Sequence, residues 1–468
     1  MDCDNDRNDN PPQIESNQDT LSELFTNLNI HKAKSSDFSA DFELNQLNLP
    51  NEDLIKCAIS LIQAEDSTSH IKAAHIIRNL TCKETDPPFQ QIMSSWIIPH
   101  LIQLIPNYDE TFALEIAWIL SNLASGNEIC IQYVLSIRSI ELFNWLIKKA
   151  GIRLFTQIMW AIGNIAAESA RYRNLILNEI DMKTVVGYLN GLDESQISFT
   201  LVWSVSNLIK IQPIPHDHEI KPFIPFITRA LLYSEDTETL MNALWSLWYL
   251  TNENSSPKYF PDPLIIKIIS LINSPEVCLA FPSLKVFGNY CVTDANINLL
   301  INSGILMSLY QIIYETQLKC LKKEIYWILY NLFVESDEII EEALKCGFFE
   351  LMRLTLENES LVVKKEGIYA LCNAASACNP LQSKRILDLG IGEILIEELG
   401  KDEETDEFIL HAMTDYIEDE YRLDIIHIDN YLGKLNTVKR QVDEELYEKL
   451  ISKLEMIRIN ALITNYVN

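Results

Sequence analysis

From about residue 50 onward apolar residues recur at helical spacing, and most glycines and prolines fall between segments of 10 to 15 residues. Such spacing predicts helices along the chain and no strands. One type of segment recurs: HIIRNLTC, AWILSNLASGN, MWAIGNIAAES, VWSVSNLIKIQ, LWSLWYLTNEN, LKVFGNYCVTD, YWILYNLFVES, IYALCNAASAC and LHAMTDYIEDE. Each places one polar or aromatic residue at a fixed phase: Asn79, Asn122, Asn164, Asn207, Tyr249, Asn289, Asn331, Asn373 and Asp415. Successive differences are 43, 42, 43, 42, 40, 42, 42 and 42 residues. A unit of that length has room for a short helix, a second helix and a longer third helix carrying the phase residue.

A period of this kind sustained over nine units belongs to helical arrays of the armadillo or HEAT type. The fold class expected is all-α, a right-handed armadillo-repeat solenoid (superhelix) with one continuous core. It would cover residues 51–468 with about nine to ten repeats, capped by the segment that starts at Asn51 and by the last helices, Val442 to Ile463. In the later repeats Gly304, Gly347 and Gly390 mark the turn between the first two helices. Residues 1–50 stand apart, with ten carboxylates against Arg7, Lys32 and Lys34. That composition buries too little apolar surface to offset ordering entropy and predicts a largely disordered segment. Leu21 to Leu28 is its one amphipathic stretch.

A second residue choice accompanies the first. Four positions before the phase residue stand Trp118, Trp160, Trp203, Trp245, Lys285, Trp327 and Tyr369, so five of the eight tryptophans share one register. At about 100° per residue, positions i and i+4 lie on one helix face, which a stacked array repeats along a groove. Aromatics at helical spacing are usually core, and an asparagine recurring in a solenoid can be a ladder that satisfies neighbouring backbone groups. Here the flanking Ile116, Ala117, Ile119, Leu120 and Leu123 already supply an apolar face around Trp118, which leaves the Trp/Asn column for the groove. Indole faces one repeat apart make slots for the methylene stems of Lys or Arg, with cation–π attraction of about 0.5 to 2 kcal/mol each. Asparagine amides suit the N–H and C=O of an extended peptide. Helix packing at about 8–10 Å and a strand rise of about 3.3 Å put successive rungs roughly two to three peptide residues apart. Glu115, Glu324 and Glu366, three positions before their aromatics, and Glu168, four after Asn164, add carboxylates near the column.

Charge agrees with a cationic ligand. Acidic residues outnumber basic ones 66 to 37, a formal net charge of −29, which disfavours nucleic acid and anionic membrane as partners and favours something basic. The ten cysteines are scattered without metal-ligand spacing, as expected in a reducing compartment. The first residues, MDCDNDRNDN, lack the pattern of a signal peptide, so the expectation is a soluble intracellular protein. No catalytic arrangement is readable and no cofactor or metal is implied. The run HDHE at 216–219 sits in a proline-flanked loop with no remote partner, and Gly390-Ile-Gly392 fits a helix junction better than a phosphate loop.

The motifs resemble those of the importin alpha family, adaptors that read basic nuclear localisation signals. LEIAWILSNLASGNE at 114–128 and QIMWAIGNIAAES at 157–169 are similar to its second and third armadillo repeats, KETDPPFQQIMSSWIIPHLIQLI at 83–105 to its first repeat boundary, and KKEIYWILYN with KKEGIYALCN to its seventh and eighth. The resemblance covers roughly residues 50 to 460. It implies a major peptide site at Trp118, Asn122, Gln157, Trp160, Asn164, Glu168, Trp203 and Asn207, extended by Trp245 and Tyr249. It implies a minor site at Asn289, Glu324, Trp327, Asn331, Glu366, Tyr369 and Asn373. The expected partners are the basic signal peptides of cargo proteins, importin beta and a nuclear export receptor, with shuttling between cytoplasm and nucleus. Several positions depart from the family pattern. Ile131 stands where a threonine helps bind the key lysine, Asn242 and Thr200 replace acidic and amide groove residues, and Tyr369 and Lys285 stand where tryptophan and arginine are usual. The family's arginine-rich importin-beta-binding segment has only a faint counterpart in IHKAKSSD at 30–37. An armadillo scaffold or retention protein for basic peptides, acting without importin beta, is therefore the alternative reading.

Overall fold

In the computed structural model, residues 50–251, 260–292, 296–417, 425–438 and 444–467 are described. The amino-terminal acidic segment lies outside them. Among the described residues every regular element is helical, and no single helix is long and apolar enough to cross a membrane. The chain forms two compact units, divided between Phe223 and Ile224. The 42-residue step of the sequence recurs in both units.

Each unit stacks helices in armadillo-type repeats whose longest members carry the phase residues. These third helices are α1 (Ser67–Thr81), α2 (Glu110–Ala124), α3 (Ile152–Glu168) and α4 (Phe199–Ile209) in the first unit. In the second unit they are α5 (Thr237–Thr251), α6 (Val277–Cys291), α7 (Lys319–Glu335), α8 (Leu361–Ala377) and α9 (Glu403–Tyr416). Within each unit consecutive third helices pack side by side. The core of the first unit is built from Ile116, Ile119, Leu120, Phe155, Ile158, Ile162 and Val205, and that of the second from Leu244, Leu247, Leu284, Phe287, Ile325, Leu329 and Leu371, all fully buried. The second unit ends in helices Ile425–Val438 and Glu444–Val467, and the first begins with helix Asn51–Ile62.

Local chemistry punctuates the repeats at matching places. The helix after α2 is capped by Asn127, whose side chain accepts from the Cys130 N–H at 3.2 Å, and the helix after α7 by Ser336, which accepts from the Ile339 N–H at 3.3 Å. Such caps satisfy backbone donors that a helix start leaves free. The turns between first and second helices fall at Gly304, Gly347 and Gly390 as expected, with φ of 68°, 81° and 84°. In the third repeat Arg138 occupies that turn with φ 62°, a left-handed conformation that glycine adopts freely and other residues rarely do. The HDHE run forms the short helix Asp217–Ile220 with His216 at its cap, rather than open loop, and no metal-ligating cluster is present among the described residues.

Candidate peptide-binding faces

The tryptophan and asparagine of each third helix share one face, as their four-residue spacing requires. In the first unit Trp118, Trp160 and Trp203 are all half-buried while their immediate neighbours are core. The Trp203 ring lies against the backbone of α3 at Gly163, where an added Cβ would stand 2.8 Å from Cζ3. In the second unit Trp327 lies the same way against Gly288 of α6. A glycine just ahead of the phase asparagine therefore admits the next repeat's indole. Residue-by-residue sequence reading passed over that signal.

The asparagines form a ladder. Asn164 donates to the Ser121 carbonyl at 2.9 Å and Asn207 to the Gly163 carbonyl at 3.3 Å. Asn122 reaches Thr81 Oγ1 at 3.2 Å and Cys82 Sγ at 3.0 Å. In the second unit Asn289 donates to the Trp248 carbonyl at 3.2 Å and to Thr251 Oγ1 at 3.1 Å, and Asn373 to the Tyr330 carbonyl at 2.9 Å. Asn331 differs, bonding the Trp327 carbonyl of its own helix at 3.0 Å. At the last rung Asp415 is exposed, and the buried Tyr416 hydroxyl takes over, donating to the Leu371 carbonyl at 2.7 Å. The amides thus hold one repeat to the one before it, and the carbonyl oxygen of each is the group left for anything else. Asn207 is 1% exposed and its Oδ1 has no partner. Gln157, expected in the groove, is buried and donates to Ser121 Oγ at 2.5 Å.

Most of the carboxylates near the column already have cations. Glu115 Oε2 lies 2.9 Å from Arg78 Nε, and its other oxygen lies 3.8 Å from His75 Nε2. The Arg78 guanidinium carbon stands 5.1 Å from the centre of the Trp118 ring, whose own N–H is buried without an acceptor. In the second unit Glu324 pairs with Lys285 at 2.6 Å, and Lys285 also stands 5.4 Å from the Trp248 ring and 5.5 Å from Phe281. Glu366 lies 3.9 Å from Lys323, and burial raises its carboxyl above the ordinary range. Lys365, beside Tyr369 at 5.5 Å, is held by Asp402 at 3.0 Å and Glu404 at 2.8 Å. Glu168, at the end of α3, is exposed and makes no ion pair among the described residues. Trp245 and Tyr249 sit half-buried on α5, with Trp245 edge-on to Trp248 at 5.5 Å and near Phe281 at 6.0 Å. Burial raises the Tyr249 hydroxyl above its usual range.

No family model matches the chain. Over 58% of its length it is 25% identical to importin subunit alpha-1b of Oryza sativa subsp. japonica, covering 51% of that protein. Over 44% of its length it is 29% identical to importin subunit alpha-6 of Arabidopsis thaliana, covering 39% of that protein. The match spans about half the length of these relatives. Among solved structures, a chain from a study of the interaction between cadherin and beta-catenin superposes with a TM-score of 0.66 over 91% of this chain and 89% of its own, at 13% identity. That likeness shows the fold, an all-α armadillo solenoid.

Proposed function

We propose that this chain, a divergent importin-alpha-like protein, binds lysine- and arginine-rich segments of other proteins on the Trp/Asn faces of its third helices and serves as an adaptor for their nuclear import. The observation that carries the reading is the α3–α4 step. There Trp160 and Trp203 are half-buried on neighbouring helices, Asn164 is half-buried one turn after Trp160, and Glu168 is exposed without a cation among the described residues. An incoming lysine finds an indole face for its stem and a carboxylate for its ammonium, and the Asn164 amide, which donates through its nitrogen to Ser121, keeps an oxygen for the peptide's N–H. In the second unit Glu324 and Glu366 face their own lysines, Lys285 and Lys323, so a basic ligand must displace a charge already in place. The first unit is therefore the stronger site.

Cargo binding would place the protein in both cytoplasm and nucleus, with importin beta and an export receptor as its transport partners. The composition of residues 1–50, three basic residues against ten acidic ones, favours the second reading at one point. A retention or scaffold protein for basic peptides needs no arginine-rich segment. Titration of a labelled lysine-rich peptide tests the binding reading. Micromolar or tighter affinity is expected, weakening as salt screens the acidic face. Trp160→Ala with Asn164→Ala should cost more than about tenfold, since each lost slot contributes on the order of 1 kcal/mol. Unchanged affinity in that variant would refute it. A pull-down of importin beta with and without residues 1–50 separates adaptor from scaffold.

A further inference from the structure

The geometry points to Arg78 as an internal occupant of the first indole slot, one that sets the register in which a basic peptide binds; the inference rests on the peptide-binding reading above. Arg78 lies on α1, one repeat before Trp118. Its guanidinium carbon stands over the Trp118 ring at 5.1 Å, and its Nε lies 2.9 Å from the carboxylate of Glu115, three residues ahead of that tryptophan on α2. A slot offers a cation these two things, a ring face and an acid. Here both are taken by a side chain of the same molecule. Arg78 and Glu115 are each less than a tenth exposed, and His75 covers the other carboxylate oxygen. The tether gives Arg78 an effective concentration that a dissolved peptide at working concentrations does not match. Swinging it out would also strand a buried carboxylate.

The next slot is different. Glu168, the acid of α3, is exposed and has no cation among the described residues. A basic ligand therefore gains from Trp160 and Trp203, whereas at Trp118 it would have to compete with Arg78. Arg78 ends the usable face, and peptides longer than that face are not rewarded for their length.

The test uses the full chain and two labelled peptides, a short lysine-rich core and the same core extended by two lysines at each end. Wild type should bind both within about twofold of each other. Arg78→Ala should leave the short peptide unchanged and bind the extended one about tenfold tighter, a gain of the size one cation–π contact with a desolvated acid supplies. Arg78→Ala combined with Glu115→Gln leaves no stranded charge, so it guards against a misfolded single variant and should keep part of the gain. Lys56→Ala removes the same charge from an exposed helix position and should leave the ratio at its wild-type value. A wild type that already prefers the extended peptide tenfold, or Arg78 variants that bind the two peptides alike, would overturn the assignment while leaving peptide binding intact. Failure of wild type and variants to bind either peptide would overturn both.

Discussion

Replacing Asn164 with alanine removes one rung of the ladder that holds α3 to α2. Its side-chain amide donates to the Ser121 carbonyl at 2.9 Å, and that carbonyl also accepts from the Ser125 N–H at 3.1 Å, so the acceptor keeps one partner after the substitution. The loss is one net hydrogen bond, about 1 kcal/mol within a range of roughly 0.5–1.5. Asn207→Ala makes the informative contrast. Its bond to Gly163 is longer, at 3.3 Å, and its buried Oδ1 has no donor in the free protein. Deleting the residue gives up a weak bond of about 0.5 kcal/mol and relieves an unsatisfied acceptor of about 1 kcal/mol, so the two nearly offset and stability should rise by about 0.5 kcal/mol. Urea unfolding of the two variants beside wild type measures both. The same two variants enter the peptide titration, where Asn164→Ala should weaken binding more than Asn207→Ala, because Asn164 is half-buried and its amide oxygen is left for a ligand whereas Asn207 is buried. A cost above about 2 kcal/mol for Asn207→Ala, or none for Asn164→Ala, would show that the hydrogen-bond assignment along the ladder is wrong.

Arg173 is fully buried, its guanidinium donating to the carbonyl oxygens of Ile211 and Pro213 and to Asn174 Oδ1, with Glu219 adding a favourable charge, so Arg173→Met should cost about 3 kcal/mol in urea unfolding. Lysine should not rescue it, since a single ammonium does not reproduce the fork that spans two carbonyls. The Glu366 carboxyl titrates above its ordinary 4.5 because burial disfavours its charge, so its neutral form favours the fold. That contribution is complete below about pH 4.5 and is lost as pH rises through the folded value; Glu366→Gln should therefore raise the melting temperature at pH 7 and make no difference near pH 4. An equal or lower melting temperature at pH 7 would contradict this.

The period was the most legible feature of the sequence, and it located the third helices, the glycine turns at 304, 347 and 390, and the shared face of tryptophan and asparagine. It did so because stacking imposes the same packing on every repeat, so the choice of residue recurs with the geometry. What the period did not disclose is which polar groups are already spent. Glu115, Glu324 and Glu366 read as open acids along one helix, yet Arg78, Lys285 and Lys323 meet them from the preceding repeat. The signal was present at one period's distance rather than at helical spacing. Arg173 escaped for a related reason: two of its partners are backbone carbonyls of a connecting segment, and backbone groups leave no mark in a pattern of side chains. The last rung slipped by one residue, from Asp415 to Tyr416, since a phenol reaches further than a carboxylate and can donate where an ionised acid cannot.

The ladder also has a direction. Asn122, Asn164 and Asn207 in one unit, and Asn289, Asn373 and Tyr416 in the other, all donate to groups that precede them by about one repeat. A ribosome delivers those acceptors first. As each of these six third helices emerges it therefore meets a finished surface that already presents the acceptor its side chain needs, and assembly can proceed by addition at one end as synthesis continues. A chain truncated after any of these six rungs ends on a satisfied donor. The mirror-image truncation, begun at one of them, opens on a donor whose acceptor was never made, so nascent fragments of this protein should hold together better than carboxy-terminal fragments of equal length.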